Sequence, residues 1–444
     1  MKPSFNKIYL SVFALLAISC IVSCSTQPKE DPIFEMMDAS KTGIEFANNL
    51  HPTESFNMFH YMYYYNGAGV ATGDFNNDGQ ADIFFASNEG DNQLYLNKGK
   101  LQFTEVSKQA QIPQDSAWNT GVSVVDINND GLLDVAVIGQ NDDIGNVTKI
   151  YENKNGVFQD LNLANRSFRY GDVKWVDLNN DGWLDLSIIG QSGTAVVYQQ
   201  LINNKGVFEI STPSSVAGLK YANMAFGDYN NNGTLDMFTA GQDVNGNPHS
   251  YLYQNDGKGN FKLDPEFNAY NVVPDMFNAD ARFLDYDLDG DLDLIYVGNS
   301  NGGYPQGGIR VNTLLDPKIT TNNYGQGNNY SNGYTYNMNL QMKDAKLDVA
   351  DLDGDGDTDI VAMGTARNYN GSAFTDYPQL LLLRNQTMES KDAKFGSFFS
   401  YGSIYNATKI TLDSVEKGDI KLVDFNNDGL VDITLAGLDI KANP

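Results

Sequence analysis

A nine-residue pattern, D-x-[DN]-x-[DN]-G-x-x-D, occurs seven times along the 444 residues. The copies are DFNNDGQAD from Asp74, DINNDGLLD from Asp126, DLNNDGWLD from Asp177, DYNNNGTLD from Asp228, DYDLDGDLD from Asp285, DLDGDGDTD from Asp351 and DFNNDGLVD from Asp424. Their first aspartates lie 52, 51, 51, 57, 66 and 73 residues apart. One such unit cannot bury an apolar face alone. A chain that repeats it must therefore stack its units or close them into one body.

The pattern concentrates oxygen. Position 1 is Asp74, Asp126, Asp177, Asp228, Asp285, Asp351 and Asp424; position 3 is Asn76, Asn128, Asn179, Asn230, Asp287, Asp353 and Asn426. Position 5 is Asp78, Asp130, Asp181, Asn232, Asp289, Asp355 and Asp428, and position 9 is Asp82, Asp134, Asp185, Asp236, Asp293, Asp359 and Asp432. Alternate spacing lets the side chains at 1, 3 and 5 point to one centre as the chain curls, and position 9 closes the cage. Hard oxygen donors suit Ca²⁺ or Mg²⁺. Glycine at position 6 permits a backbone turn with positive φ. Position 7 (Gln80, Leu132, Trp183, Thr234, Asp291, Asp357 and Leu430) offers its carbonyl, which leaves the side chain free to vary. An EF-hand begins in the same way but needs a glutamate at position 12 and flanking helices. Position 12 here is Phe85, Val137 and Tyr296 in copies one, two and five, inside apolar runs. Up to seven calcium ions are expected. The fifth and sixth copies, with five aspartates each, are expected to bind tightest, and the fourth, with two carboxylates, weakest. The alternative for any copy is a loop that merely turns through Asx-type hydrogen bonds.

Apolar runs flank each loop. Ile83–Ala86, Val135–Ile138, Leu186–Ile189, Met237–Ala240, Leu294–Val297, Ile360–Met363 and Ile433–Ala436 follow the seven copies and have the length of buried strands. A glycine-led turn and two more short runs follow, as in NQLYLNKGKLQFTEV and SYLYQNDGKGNFKLD. Four short strands per unit predict an all-β fold, a seven-bladed β-propeller of four-stranded blades with the acidic loop between the first two strands. A β-solenoid has shorter rungs.

The seven motifs resemble the calcium loops of FG-GAP/VCBS repeats, the family that includes the integrin α-subunit propeller. The segment from TGIEFANNL through YNGAGVATGDFNNDGQADIFF to NQLYLNKG is similar to the opening of bacterial proteins related to cartilage acidic protein. The resemblance covers residues 33–444. It implies calcium in the hairpin between strands one and two, on the lower face of a ring, and ligands on the upper face. AGLDIKANP at 436–444 matches AGQDVNGNP at 240–248 but lacks the strand that follows the latter, so the last blade is short of its outer two strands. PIFEMMDASKTGIEF resembles the fourth-strand run LQFTEVSKQAQI, Phe34 matching Phe103, and is expected to lie on blade seven and bring the two chain ends together. The blade is incomplete, or the chain stops short of a natural end.

The net charge is −27, from 56 acidic and 29 basic residues, and the seven loops hold 24 of the acidic ones with no lysine or arginine. Such a surface repels phosphate backbones, which excludes nucleic acid as a partner. It also calls for cations in the loops. An aromatic content of 12% argues against disorder. Cys20 and Cys24 are the only cysteines, so no disulfide framework exists in the body, and the three histidines do not pair at zinc-ligand spacing.

Lys2 and Lys7, the apolar run Ile8–Ile18 and IVSC ending at Cys24 resemble a lipoprotein signal. Residues 1–23 are read as that signal, Cys24 as the lipidated residue and 24–32 as a tether. Lys29-Glu30-Asp31 resembles the surface-export signal of Bacteroidetes-type lipoproteins. The expected location is the bacterial outer membrane, at the cell surface, with the lipid as the membrane contact.

Ligand binding is expected in long polar segments rich in tyrosine, glycine and amides: Gly298–Gly308 with Tyr304, Thr320–Asn337 with Tyr324, Tyr330, Tyr334 and Tyr336, and Gly364–Pro378 with Tyr369 and Tyr377. This composition suits sugar stacking or protein recognition. The aromatic cluster Phe56–Asn66 reads as packing, and Trp183 as a cover for the rim. No nucleophile elbow, histidine pair or phosphate-cradling loop is present. The reading is therefore a calcium-stabilised, surface-anchored propeller that binds a glycan or protein in adhesion or capture. The alternative is a carbohydrate-active enzyme such as a polysaccharide lyase.

Overall fold

The computed structural model describes residues 37–57, 59, 64, 68–112, 118–141, 145–161, 169–265, 267, 273–312, 333–337, 342–369, 374–385 and 415–439. The chain divides into two compact units, Met1–Glu35 with Ala407–Ile410 and Met36–Asn406 with Thr411–Pro444; every described residue belongs to the second. The expected signal peptide, Cys24, the whole tether and Phe34 lie outside the described residues.

The described residues form seven antiparallel sheets. The first is β1 (Val70–Gly73), β2 (Asp82–Phe85), β3 (Gln93–Asn97) and β4 (Phe103–Glu105); the second is β5 (Trp118–Val125), β6 (Asp134–Asn141), β7 (Gly145–Asn153) and β8 (Phe158–Asp160). The third is β9 (Arg169–Val176), β10 (Asp185–Ser192), β11 (Ala195–Asn204) and β12 (Val207–Ser211); the fourth is β13 (Lys220–Gly227), β14 (Asp236–Gln242), β15 (Pro248–Asn255) and β16 (Phe261–Leu263). The fifth is β17 (Phe277–Leu284), β18 (Asp293–Asn299), β19 (Pro305–Asn312) and β20 (Gly333–Asn337). The sixth has three strands, β21 (Met342–Ala350), β22 (Asp359–Tyr369) and β23 (Phe374–Leu383), and the seventh two, β24 (Val415–Val423) and β25 (Asp432–Asp439).

Strand order follows chain order within each sheet, as in a β-propeller. Four strands per blade, the expectation from sequence for all but the last, holds for five sheets; among the described residues the sixth has three and the seventh two.

One register recurs. The residue before position 1 pairs with the aspartate at position 9: Gly73 with Asp82, Val125 with Asp134, Val176 with Asp185, Gly227 with Asp236, Leu284 with Asp293, Ala350 with Asp359 and Val423 with Asp432. Each acidic motif is thus the hairpin between a sheet's first two strands, and antiparallel geometry puts the turns between second and third strands at the opposite rim.

The second strands are apolar on both faces because both are covered by neighbouring sheets: β18 is buried at all seven positions. Six core clusters among the described residues each straddle two sheets. Ile127, Ala136 and Ile150 pack on Val173, Ile188 and Leu201 between the second and third, and Val297, Ile309 and Val311 pack on Leu347, Ile360 and Ala362 between the fifth and sixth. Burial of one such side chain is worth about 1.5–3 kcal/mol, so the seams carry most of the stability.

The seventh sheet meets the first in the same way: Phe425 packs with Val70, Ile83 and Phe103, the Phe103 and Phe425 ring centroids being 5.8 Å apart. A short helix, α1 (Ala39–Thr42), leads into this seam. Asp38 caps it by accepting from the Ser40 N–H at 2.8 Å, and Gly43 ends it at φ 79°. A Cβ at Gly43 would sit 2.6 Å from the Phe103 carbonyl oxygen, so only glycine lets the chain pass there. Ile44 and Phe46 then pack into the seam, Phe46 stacked on Phe85 at 4.6 Å. Ala110 and Ile112 fill the corresponding place between the first and second sheets.

Among the described residues, no helix is long and apolar enough to cross a membrane.

Candidate functional site

The hairpin rim is built from two aspartates per copy. At position 1 both carboxylate oxygens accept backbone N–H groups from positions 5 and 6, as Asp74 does from Asp78 (3.0 Å) and Gly79 (2.7 Å). The glycines at position 6 have φ between 82° and 96°, which is why the chain requires glycine there. At position 9 of copies one, two, three, five and six, one oxygen accepts from the position 2 N–H and the other from the N–H of an asparagine at the end of the third strand: Asp82 from Phe75 (2.9 Å) and Asn97 (2.8 Å), Asp293 from Tyr286 (2.9 Å) and Asn312 (2.7 Å).

These asparagines stitch the ring. Each buried side chain, at Asn97, Asn153, Asn203, Asn255, Asn312 and Asn385, donates to the position 2 carbonyl of the preceding hairpin, on Phe425, Phe75, Ile127, Leu178, Tyr229 and Tyr286, at 2.8–2.9 Å. In the other direction Asn77, Asn129, Asn180 and Asn427 at position 4 donate to the carbonyls of Gly131, Gly182, Gly233 and Gly79 in the following hairpin. The bonds from Asn97 to Phe425 and from Asn427 to Gly79 join the last hairpin to the first.

The hairpins differ in how far their oxygens are satisfied. In copies one, two and three the position 3 asparagine donates to position 5, as Asn76 does to Asp78 at 3.0 Å, and accepts from its N–H. In copy four Asn232 accepts from both the N–H and the hydroxyl of Thr234. Among the described residues, Asp285, Asp287 and Asp289, and likewise Asp351, Asp353 and Asp359, bring three carboxylates within 4.8 Å of one another. Buried oxygens of Asn230, Asp287 and Asp289 have no hydrogen-bond donor. Unpartnered carboxylate oxygens converging in a half-buried loop are the arrangement that a hard divalent cation satisfies.

Electrostatics agree with that fit. Burial, with the neighbouring carboxylates, pushes the position 9 aspartates up to about 6 at Asp82, Asp134, Asp185 and Asp236, about 7 at Asp359 and about 9 at Asp293. Asp287 reaches about 7 for the same reasons. A cation would reverse this cost.

A second set of charges was not read from the sequence. Two alternate positions on the first strands of four sheets bring charges together: Asp172 and Lys174 from β9, Asp280 and Arg282 from β17, Lys346 and Asp348 from β21, and Asp419 and Lys421 from β24. That is four anions and four cations. Arg282 pairs with Asp280 at 2.5 Å, Lys174 with Asp172 at 3.4 Å and Lys421 with Asp419 at 3.7 Å. The carboxylates also cross seams: Asp172 accepts from the Met224 N–H, Asp280 from Leu347 and Asp348 from Leu422, at 2.9–3.1 Å.

Burial alone would lower the Lys346 pKa, but Asp280, Asp419 and Asp172, from three different sheets, outweigh it and raise it. Burial alone would raise Asp280, yet Arg282, Lys346 and Lys174 hold its carboxyl well below the usual range. Opposite charges two residues apart in first strands, as in Asp172 and Lys174 or Asp280 and Arg282, were the available signal.

Of the tyrosines singled out for ligand binding, Tyr304 stands in the β18–β19 turn, 65% exposed. The turn is pinned by bonds from Ser300 N–H to the Tyr304 carbonyl and from Gly303 N–H to the Ser300 carbonyl, at 2.8 and 2.9 Å. Tyr334 and Tyr336 lie instead in β20, opposite Val311 and Ile309, and belong to an outer strand rather than a loop. Tyr369 and Tyr377 lie in β22 and β23, whose pairing runs out to Tyr369 with Phe374; that stretch is a lengthened hairpin rather than an irregular insertion. Tyr324 and Tyr330 are outside the described residues. Phe56, Tyr64 and Trp118 pack together, as expected of that aromatic cluster, and Trp183 is half-buried at its hairpin.

A family model described as FG-GAP-like repeat matches residues 74–137, 126–188, 177–239 and 228–296, together half of the chain. Cartilage acidic protein 1 of Xenopus tropicalis is 26% identical over 268 residues, 53% of this chain and 40% of that protein; the Mus musculus protein is 23% identical over 291 residues, 57% and 44%. The chain thus spans less than half the length of these curated relatives. Among solved structures, AofleA from Arthrobotrys oligospora superposes with a TM-score of 0.39 at 12% identity, covering 71% of this chain and 89% of that one. The fungal lectin of Aleuria aurantia superposes with a TM-score of 0.38 at 8% identity, covering 72% and 96%.

Proposed function

This chain belongs to the FG-GAP-like repeat family, and on that premise we propose that it is a calcium-stabilised, seven-bladed propeller that captures a glycan or protein ligand at the cell surface. The seven sheets act as its blades, the two-stranded seventh among them. Each acidic hairpin holds one Ca²⁺ through positions 1, 3, 5 and 9, with the position 7 carbonyl. The observation that carries this is the convergence of three carboxylates, with unpartnered buried oxygens, in the fifth hairpin. Bound ions neutralise the rim and lock the loops, so that the opposite rim is presented on a rigid ring.

Capture is assigned to that opposite rim, where Tyr304 offers an exposed ring on a pinned turn. The test is a glycan array and a surface-protein pull-down with calcium-loaded protein. Binding that Tyr304→Ala reduces is expected; binding unaffected by that change, or none, refutes the assignment. Anchoring is proposed through lipid on Cys24, and Cys24→Ala should abolish incorporation of labelled palmitate.

A further inference from the structure

The residue just before each stitching asparagine varies from sheet to sheet, and in two sheets it reaches that sheet's own hairpin. In five sheets it is Leu96, Glu152, Ile202, Gln254 and Val311, and in the sixth it is Arg384. Two of the six are charged, with opposite signs, and both touch hairpin ligands. Arg384 pairs through Nε with Asp353 at position 3 and through Nη2 with Asp355 at position 5, the latter at 3.4 Å. Glu152 accepts from Nδ2 of Asn128, position 3 of the second hairpin, at 2.7 Å, and also pairs with Lys154. Gln254 is turned to Asp264 instead, at 2.8 Å.

We propose that this third-strand position sets the cation affinity of the hairpin below it: Arg384 weakens the sixth and Glu152 strengthens the second. The inference rests on the calcium reading above. A divalent ion entering the sixth hairpin must displace a guanidinium from two of its ligands, whereas an ion in the second gains an adjacent carboxylate. Counting carboxylates ranks the fifth and sixth hairpins as equals, with five aspartates each. The residue at this position separates them, because Val311 is packed in the seam and brings no charge to the fifth hairpin. The sixth hairpin then fills only at higher calcium, or after Arg384 swings away; the side chain is 43% exposed and has room to do so.

The experiment is a calorimetric calcium titration of the full chain, stripped with chelator, comparing wild type with R384Q, R384K, R384Q combined with D353N, and E152Q. Removing a charge some 4 Å from a half-exposed cation site should tighten one class of site about tenfold in R384Q. R384K should keep the wild-type isotherm, and the gain should vanish when Asp353 is also changed. E152Q should weaken one class of site. Circular dichroism checks that each variant is folded. Superimposable isotherms for wild type and R384Q overturn this inference and leave the calcium reading intact. A wild-type protein that takes up no calcium at all overturns both.

Discussion

Asn97 and Asn203 do the same work at two seams, which makes the pair a test of ring closure. Asn97 donates to the carbonyls of Phe425 (2.8 Å) and Ala81 (2.9 Å) and accepts from the Gly99 N–H (2.8 Å). Asn203 donates to Ile127 (2.8 Å) and Leu184 (3.0 Å) and accepts from Gly206 (2.7 Å). Both residues are fully buried. Replacing either with alanine deletes three bonds and leaves two carbonyls and an N–H to find water where little can reach. Each bond is worth about 1 kcal/mol net, and an orphaned buried group costs about 1–3 kcal/mol, so either change should destabilise the protein by about 3–5 kcal/mol.

The seams differ in chain separation. Asn203 and Ile127 are 76 residues apart, whereas Asn97 and Phe425 are 328 apart. Urea unfolding in excess calcium, followed by tryptophan fluorescence with a common slope, measures the losses side by side. Equal losses are expected. If Asn97→Ala costs less than half of Asn203→Ala, the contact between the last and first hairpins does not hold in solution, and the closed ring is wrong.

Chelation should lower the melting temperature, because an ion held only by the folded state adds about 2.7 kcal/mol per site at a hundredfold excess over Kd; an unchanged transition counts against the calcium reading. In chelator the position 9 aspartates have folded-state pKa values raised to about 6–9. The folded protein therefore binds protons more tightly than the unfolded chain, and stability should be greatest near pH 4 and fall as pH rises to about 9. Calcium should remove that decline, and a melting temperature in chelator that rises between pH 5 and 8 would contradict it. Gly182→Ala, at φ 84° with nothing within 4 Å of the added Cβ, should cost about 1–2 kcal/mol in the same urea assay. Gly171→Ala should cost clearly more, since its Cβ would lie 1.9 Å from the Ile189 carbonyl oxygen. Asp280→Ala frees the Leu347 N–H and leaves Arg282 and Lys346 facing each other, so a loss of about 3 kcal/mol is expected from calorimetric melting.

The hairpins were legible because their chemistry is local. An aspartate that must catch N–H groups four and five residues on, and a glycine that must turn at positive φ, leave the same marks in every copy. The apolar second strands were legible for a related reason, since burial on both faces permits little else. The stitching asparagines were harder to see. Each is one amide at the end of a short strand, and its partner lies 76–99 residues earlier or, for Asn97, 328 residues later. The recurring asparagine in YLNKG, YENKNG and YQNDG was nevertheless available as a signal. The clustered charges were illegible singly, because Asp280 or Lys346 acquires a partner only when separate sheets converge. The tyrosine segments misled because composition does not separate a turn from a paired strand: Tyr336 sits opposite Ile309 in an outer strand.

Every lateral amide bond of the stitching lies on the rim that carries the aspartates. Among the described residues the far rim repeats no such bond from seam to seam, although Asn88 and Asn119 cross between the first two sheets and Asn299 meets Asp344 between the fifth and sixth, and its length is uneven: β2 and β3 run for 4 and 5 residues, β22 and β23 for 11 and 10. One edge is therefore bound to a fixed circumference while the other can grow outward hairpin by hairpin. Novelty in such a molecule is cheapest on that side, where extra residues disturb neither the girth nor the acidic hairpins.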